Sequence, residues 1–211
     1  MHLKVHNAII YTKLIITSLV FSYDEFDREV VSTKNVKLEV KNFSADFEIP
    51  WGMAFLPDTS MLVTDLSGSL YRVYQDGNKD VIKGTPNVHY KGQGGLLDVE
   101  VHPDFLDNNY IYVSYSQPKK GKAFTAVARA KLIRNQLEDF EIIYSTEYKH
   151  FSRKTVHFGS RFAISGDYLF FSIGDRGERD EAQDLDKPNG KIHRIHLDGR
   201  VPSDNPYKLK N

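Results

Sequence analysis

The sequence predicts an all-β fold, a β-propeller of which this chain supplies about three to four blades. Three observations lead there. Strand-sized apolar runs recur past Asp46, divided by Pro-Asp and Asp-Gly turns. Gly68–Gly77 is echoed by Gly190–Gly199, with both end glycines, an Arg and the final Asp-Gly in register. No later segment keeps a 3.6-residue apolar period over three turns, which excludes a helical solenoid. A β-sandwich can use similar strands, but it does not predict the glycine-bounded echo.

Met1–Ser22 reads as an export signal, with Lys4 and Lys13 ahead of the apolar run Leu14–Phe21 and a cleavage site at Val20-Phe21-Ser22. That run is short of the roughly 20 apolar residues a helix needs to cross a bilayer. The reading makes the protein periplasmic or secreted, with no integral membrane span once the signal is cleaved. The alternative is a cytosolic chain opening on a buried strand or helix. Residues 23–45 form a charged, weakly patterned lead-in.

The repeating part, 46–211, begins with a strand at Trp51–Leu56, a Pro57-Asp58 turn, and strands at Met61–Asp65 and within Gly68–Gly77. The second unit runs Gly94–Val101, a turn at His102-Pro103-Asp104, Tyr110–Tyr115, Thr125–Leu132, and Glu141–Tyr144 as a fourth strand. The third runs Arg161–Ser165, a Ser165-Gly166-Asp167 turn, Tyr168–Ile173 and Gly190–Gly199. Asp58 to Asp104 is 46 positions and Asp104 to Asp167 is 63, the longer interval absorbing insertions. Units of about 40–50 residues with several short strands are what propeller blades require. A ring closes with four to eight blades. The expectation is therefore a domain truncated at its C-terminus; ring closure by two chains is the alternative.

Equal numbers of basic and acidic side chains, 28 each, give no electrostatic reason to expect nucleic acid or an anionic membrane as partner. The absence of cysteine excludes disulfides, thiolate metal sites and a cysteine nucleophile. The third unit carries the chemistry. Its hairpin returns the chain to where it began, so His157 and Arg176 fall at one sheet edge, an imidazole beside a guanidinium. His157 also admits a plainer reading, as a packed loop residue.

Five segments then resemble the soluble quinoprotein glucose/sorbosone dehydrogenases, in the same order. They are Ile49–Asp58; Gly92-Gln93-Gly94-Gly95-Leu96-Leu97-Asp98 running into His102-Pro103-Asp104-Phe105; His157-Phe158-Gly159-Ser160-Arg161; Ile173-Gly174-Asp175-Arg176-Gly177; and Gly190–Gly199. The Gly-Asp-Arg-Gly form is similar to the aldose sugar dehydrogenase branch. The resemblance implies a six-bladed propeller that uses pyrroloquinoline quinone with Ca²⁺ and oxidises an aldose at C1 to the lactone. Hydride passes to the quinone, and electrons pass on to an external acceptor. It further implies that His157 is the general base, since an unperturbed imidazole pKa of about 6.5 suits proton acceptance at neutral pH. Gln93 and Arg176 would bind the cofactor. Arg161 and Asp175 would support the site, bracing strand ends.

Other readings of these residues stand beside these. Gln93 can tie down its glycine-rich turn, and Arg176 can pair with Asp175, Glu178 or Asp180. The tract Glu178–Glu181 reads as a solvated loop, and Asp180, Glu181, Asp184 and Asp186 lack the spacing of an EF-hand. Metal ligands are thus expected only beyond residue 211. Val156 stands where the glucose-specific branch has an acidic residue, which leaves His157 without a charged neighbour in sequence. With the later segments outside the sequence, the fragment itself is expected to be inactive. A non-catalytic extracellular binding module is the alternative function. A metal-dependent lactonase lacks a convincing Glu, Asn and Asp set.

Overall fold

The structure, a computed structural model, describes residues 29–207, so the proposed signal at 1–22 lies outside the described residues. Two compact units divide between Ala45 and Asp46. In the first, where the sequence suggested no element, β1 (Glu29–Ser32) and β2 (Lys37–Val40) pair as an antiparallel hairpin. Thr33 closes the turn, its hydroxyl donating to the Val36 carbonyl at 2.9 Å.

The second unit consists of three consecutive antiparallel sheets. The first is β3 (Pro50–Phe55), β4 (Met61–Asp65), β5 (Leu70–Val73) and β6 (Lys79–Ile82). The second is β7 (Leu96–Val101), β8 (Tyr110–Lys119), β9 (Lys122–Ile133) and β10 (Gln136–Tyr144), with a single helical turn, α1 (Phe105–Asn108), between β7 and β8. The third is β11 (Phe162–Ser165), β12 (Tyr168–Ile173) and β13 (Lys191–His196). In every sheet the strands neighbour one another in chain order. The strand most easily missed in sequence is β6, Lys-Asp-Val-Ile, because an outer strand needs only one buried side chain, here Ile82.

The sheets stack face to face. Ala54, Leu62, Leu70 and Ile82 from the first meet Leu96, Ile111, Val113 and Ala128 from the second. On the second sheet's other face, Tyr112, Phe124 and Val127 meet Leu169, Phe171 and Ile195. This sandwiching explains why β8 reads as an almost unbroken apolar run: a strand covered on both faces has no solvent side to alternate with. In contrast β3 alternates, burying Ala54 and exposing Trp51, Met53 and Phe55.

A hydroxyl repeat underlies the stack. The Gly52 N–H donates to Thr64 Oγ1 at 2.9 Å, Asp98 N–H to Ser114 Oγ at 2.9 Å, and Arg161 N–H to Ser172 Oγ at 3.3 Å. In the first two sheets these bonds fall where the ladder slips register. A second-strand hydroxyl thus satisfies the first-strand donor that the slip leaves over. Three occurrences at matching places make the sequence repeat a structural one.

Candidate functional site

Strands β7 and β11 are entered through loops at the same end of the stack, and those loops bond to each other. The Gln93 N–H donates to the Thr155 carbonyl at 2.8 Å, and the His157 N–H donates to Gln93 Oε1 at 2.7 Å. A backbone N–H only donates, so the atom it meets is the amide oxygen. The Gln93 NH₂ therefore points elsewhere and has no partner among the described residues. Gly94 allows this approach: a Cβ there would lie 2.6 Å from the His89 carbonyl and 2.9 Å from the Phe158 ring. The binding and turn-bracing readings of Gln93 are compatible, since different ends of one amide serve them.

His157 Nδ1 lies 2.6 Å from Asp175 Oδ1, and the Gly177 N–H donates to the same oxygen at 2.8 Å. The His157 hydrogen bond, with that of Gly177, holds the Asp175 carboxyl below the usual carboxylate range. At neutral pH it is ionised and can only accept. Nδ1 therefore carries a proton, and in the neutral ring the lone pair falls on Nε2. The imidazole is 48% exposed. The missing charged neighbour is thus a correction: Val156 supplies none, but Asp175 does, from the far end of the hairpin.

Asp175 has a counterpart. Asp65, the last residue of β4 where Asp175 lies two residues past β12, accepts the N–H two residues on (Ser67, 3.0 Å) and captures the loop before its first strand through the Glu48 and Ile49 N–H groups. Asp175 repeats that arrangement with an imidazole in place of two backbone donors.

Arg176 requires the second correction. It was expected to face a cofactor, but it is 1% exposed and points beneath the site. Its guanidinium donates to the carbonyls of Lys154 (2.7 Å), Ala123 (3.4 Å) and Val156, and stacks on Phe158 with Cζ 3.4 Å from the ring centroid. Nor does it pair with Asp175, Glu178 or Asp180. Burial lowers its pKa to about 10, still well above neutrality. A buried cation is held here by carbonyl dipoles and an aromatic face. Its place is that of a brace for the 154–156 segment that carries His157.

Arg161 sits at the start of β11 with one guanidinium nitrogen 2.8 Å from Asp98 Oδ1, while 68% of its side chain is exposed. Asp98 also accepts the Phe162 N–H at 2.7 Å, and a Cβ on Gly52 would lie 2.5 Å from it. This buried carboxylate therefore sits among β3, β7 and β11, and burial pushes its pKa up against the pull of Phe162 and Arg161. Sequence reasoning placed Asp98 in a motif without giving it a role. An acid inside the buried run Leu-Leu-Asp-Val was the available clue.

Among the described residues no group of three His, Asp or Glu side chains converges to hold a metal ion. Glu181, in the acidic tract, accepts Asn189 Nδ2 at 2.8 Å and pairs with Lys187 at 3.1 Å. For an anionic quinone, the exposed Gln93 NH₂ and the His157 edge form one fitting flank; Arg176 is buried, with its two terminal nitrogens on carbonyls and its Nε without a partner among the described residues.

Fold and site together define a β protein of repeated sheets with an aspartate-oriented histidine where the sheets begin. The chain belongs to the glucose/sorbosone dehydrogenase family, whose sequence profile matches residues 47–211. It is 39% identical over 164 residues to the aldose sugar dehydrogenase YliI of Escherichia coli K12, covering 75% of this chain and 44% of that protein. The apo crystal structure of the soluble E. coli aldose sugar dehydrogenase superposes with a TM-score of 0.73 at 36% identity, over 78% of this chain and 49% of that one. The fold is shared with the PQQ-bound aldose sugar dehydrogenase of Streptomyces coelicolor, at a TM-score of 0.66 and 23% identity over 86% and 52% of the two chains. The chain spans about half the length of the relatives it matches.

Proposed function

We propose that the chain is the first half of an exported quinoprotein that oxidises the C1 hydroxyl of aldose sugars to lactones. The carrying observation is the 2.6 Å pairing of His157 Nδ1 with the Asp175 carboxylate, which leaves Nε2 free as a base. Pyrroloquinoline quinone, when bound, supplies the two-electron acceptor, with Ca²⁺ held by residues outside this chain. His157 receives the C1 hydroxyl proton at Nε2. Asp175 keeps the ring in one tautomer and stabilises the imidazolium that forms. Gln93 fixes the histidine backbone through its carbonyl and offers its NH₂ to the cofactor. Arg176 holds the 154–156 segment from below, so it acts through position rather than contact.

The remaining blades complete a six-bladed ring, and an external acceptor takes the electrons. The 211-residue chain by itself is inactive on this reading. Two assays test it. Purified chain with quinone, Ca²⁺ and an aldose is expected to yield no lactone. A longer parent is expected to oxidise the sugar and to lose that activity with His157→Ala. Lactone from the short chain would refute its inactivity, and an unimpaired His157→Ala parent would remove the mechanism.

A further inference from the structure

Three lysines converge on one ring at the tip of the β8–β9 hairpin. The ammonium groups of Lys119, Lys120 and Lys122 lie 5.8, 5.8 and 5.1 Å from the centroid of Tyr148, and Lys119 lies 5.8 Å from Phe151 as well. None of the three has a carboxylate partner among the described residues, nor does the exposed Arg153 nearby in sequence. The flanking Lys149 and Lys154 are paired, with Glu147 and Glu178. In a chain whose charges balance, this is a local excess of cations held together by aromatic faces.

The cluster adjoins the site. Ala123, next after Lys122, exchanges backbone hydrogen bonds with Ser152 and gives its carbonyl to Arg176. Lys154 and Val156 bond the same guanidinium, Thr155 bonds Gln93, and His157 follows. The hairpin tip and the histidine thus share one end of the stack.

We propose that Lys119, Lys120, Lys122 and Arg153 form the docking surface for an acidic electron-accepting protein. This rests on the function proposed above, which demands an acceptor. Converting one aldose to its lactone releases two electrons and two protons. Two one-electron acceptors dock in turn, each leaving reduced by one electron, and the protons pass to solvent. Unpaired cations beside the site steer such a partner and set an association that weakens with salt. Small anions need no such surface, and a polyanion has no reason to prefer this end of the molecule.

The test is binding, measured on the full 211-residue chain by titration with an acidic single-haem cytochrome; a basic single-haem cytochrome, heparin and phosphatidylserine vesicles are the comparisons. The acidic cytochrome is expected to bind, with Kd weakening about tenfold or more between about 20 and 200 mM salt. The K119E/K120E/K122E triple variant is expected to weaken it at least about tenfold with an unchanged circular dichroism spectrum. A K34E/K37E variant in the first unit is expected to leave it alone. Equal binding of both cytochromes, or binding indifferent to the triple variant, overturns the proposal. So does tighter binding of heparin or vesicles. If the triple variant unfolds, Arg153→Glu with Lys120→Glu replaces it under the same criteria. Turnover is not the readout: sugar oxidation by a longer parent with a dye, combined with no cytochrome binding, overturns this inference alone. Binding to this chain, combined with no sugar oxidation by that longer parent, overturns the function instead.

Discussion

A histidine oriented by a carboxylate differs chemically from one that is merely nearby, and Asp175 makes the difference here. Replacing it by Asn keeps the size but lets Nδ1 and Nε2 exchange the proton. In a longer parent, Asp175→Asn is expected to lower kcat about a hundredfold with little change in KM, read from steady-state rates. Arg176 belongs to stability. Its loss strands the carbonyls of Lys154 and Val156, so Arg176→Met is expected to cost on the order of 3 kcal/mol in urea unfolding. Lys at that position should not restore it, because one ammonium cannot span the fork. His193 sets an acid limit. It is stacked on Phe171 with ring centroids 5.0 Å apart and bonded through Nε2 to the Pro188 carbonyl at 2.7 Å, and burial lowers its pKa to about 4. The unfolded chain then binds the extra proton first, so this contribution is complete above about pH 6.5 and is lost as pH falls toward 4. Unfolding free energy should fall in that window by at most about 3 kcal/mol, and His193→Phe should flatten the slope.

Each sheet in the stack is keyed to the next by a few buried polar groups. Thr64 takes the Gly52 N–H and gives its hydroxyl proton to the Leu97 carbonyl, joining the first two sheets. Thr125 of the second sheet donates to the Phe158 carbonyl, in the loop that enters β11, at 2.6 Å. Thr64→Val keeps the shape and leaves two buried groups unpaired, so a loss of about 1–3 kcal/mol is expected from denaturant midpoints. Gly52→Ala should be at least as damaging, because its Cβ would meet Asp98 Oδ1 at 2.5 Å. The strands themselves were legible in sequence wherever a face alternates or a run is buried, as at β4, β8 and β12. What escaped notice was polar or local: β6, with one buried residue, and the β1–β2 hairpin, whose valines are exposed. The tip of β8 also escaped, because Gln117-Pro118 interrupts the apolar run.

At the scale of the whole chain, the second sheet is covered on both sides, while the first leaves Trp51, Met53 and Phe55 open. Trp51 is the sole tryptophan of the sequence and is 41% exposed. Its emission is expected to be red-shifted and quenched by acrylamide in this chain. In a longer parent whose further blades cover that face, the emission should shift to the blue; an unshifted spectrum there would argue against ring closure over β3.

The sequence by itself determined the all-β class, the repeat and the turns. It could do so because apolar period, glycine placement and residue type are local properties of the chain. The tertiary structure decided which side chains point outward. Arg176 and Arg161 are both arginines at strand ends, yet one is sunk among three carbonyls and the other leans on Asp98 into solvent. That difference arises from contacts made by residues 20 to 63 positions away. No window of sequence contains it, because side-chain direction is fixed only when neighbouring sheets close over one another.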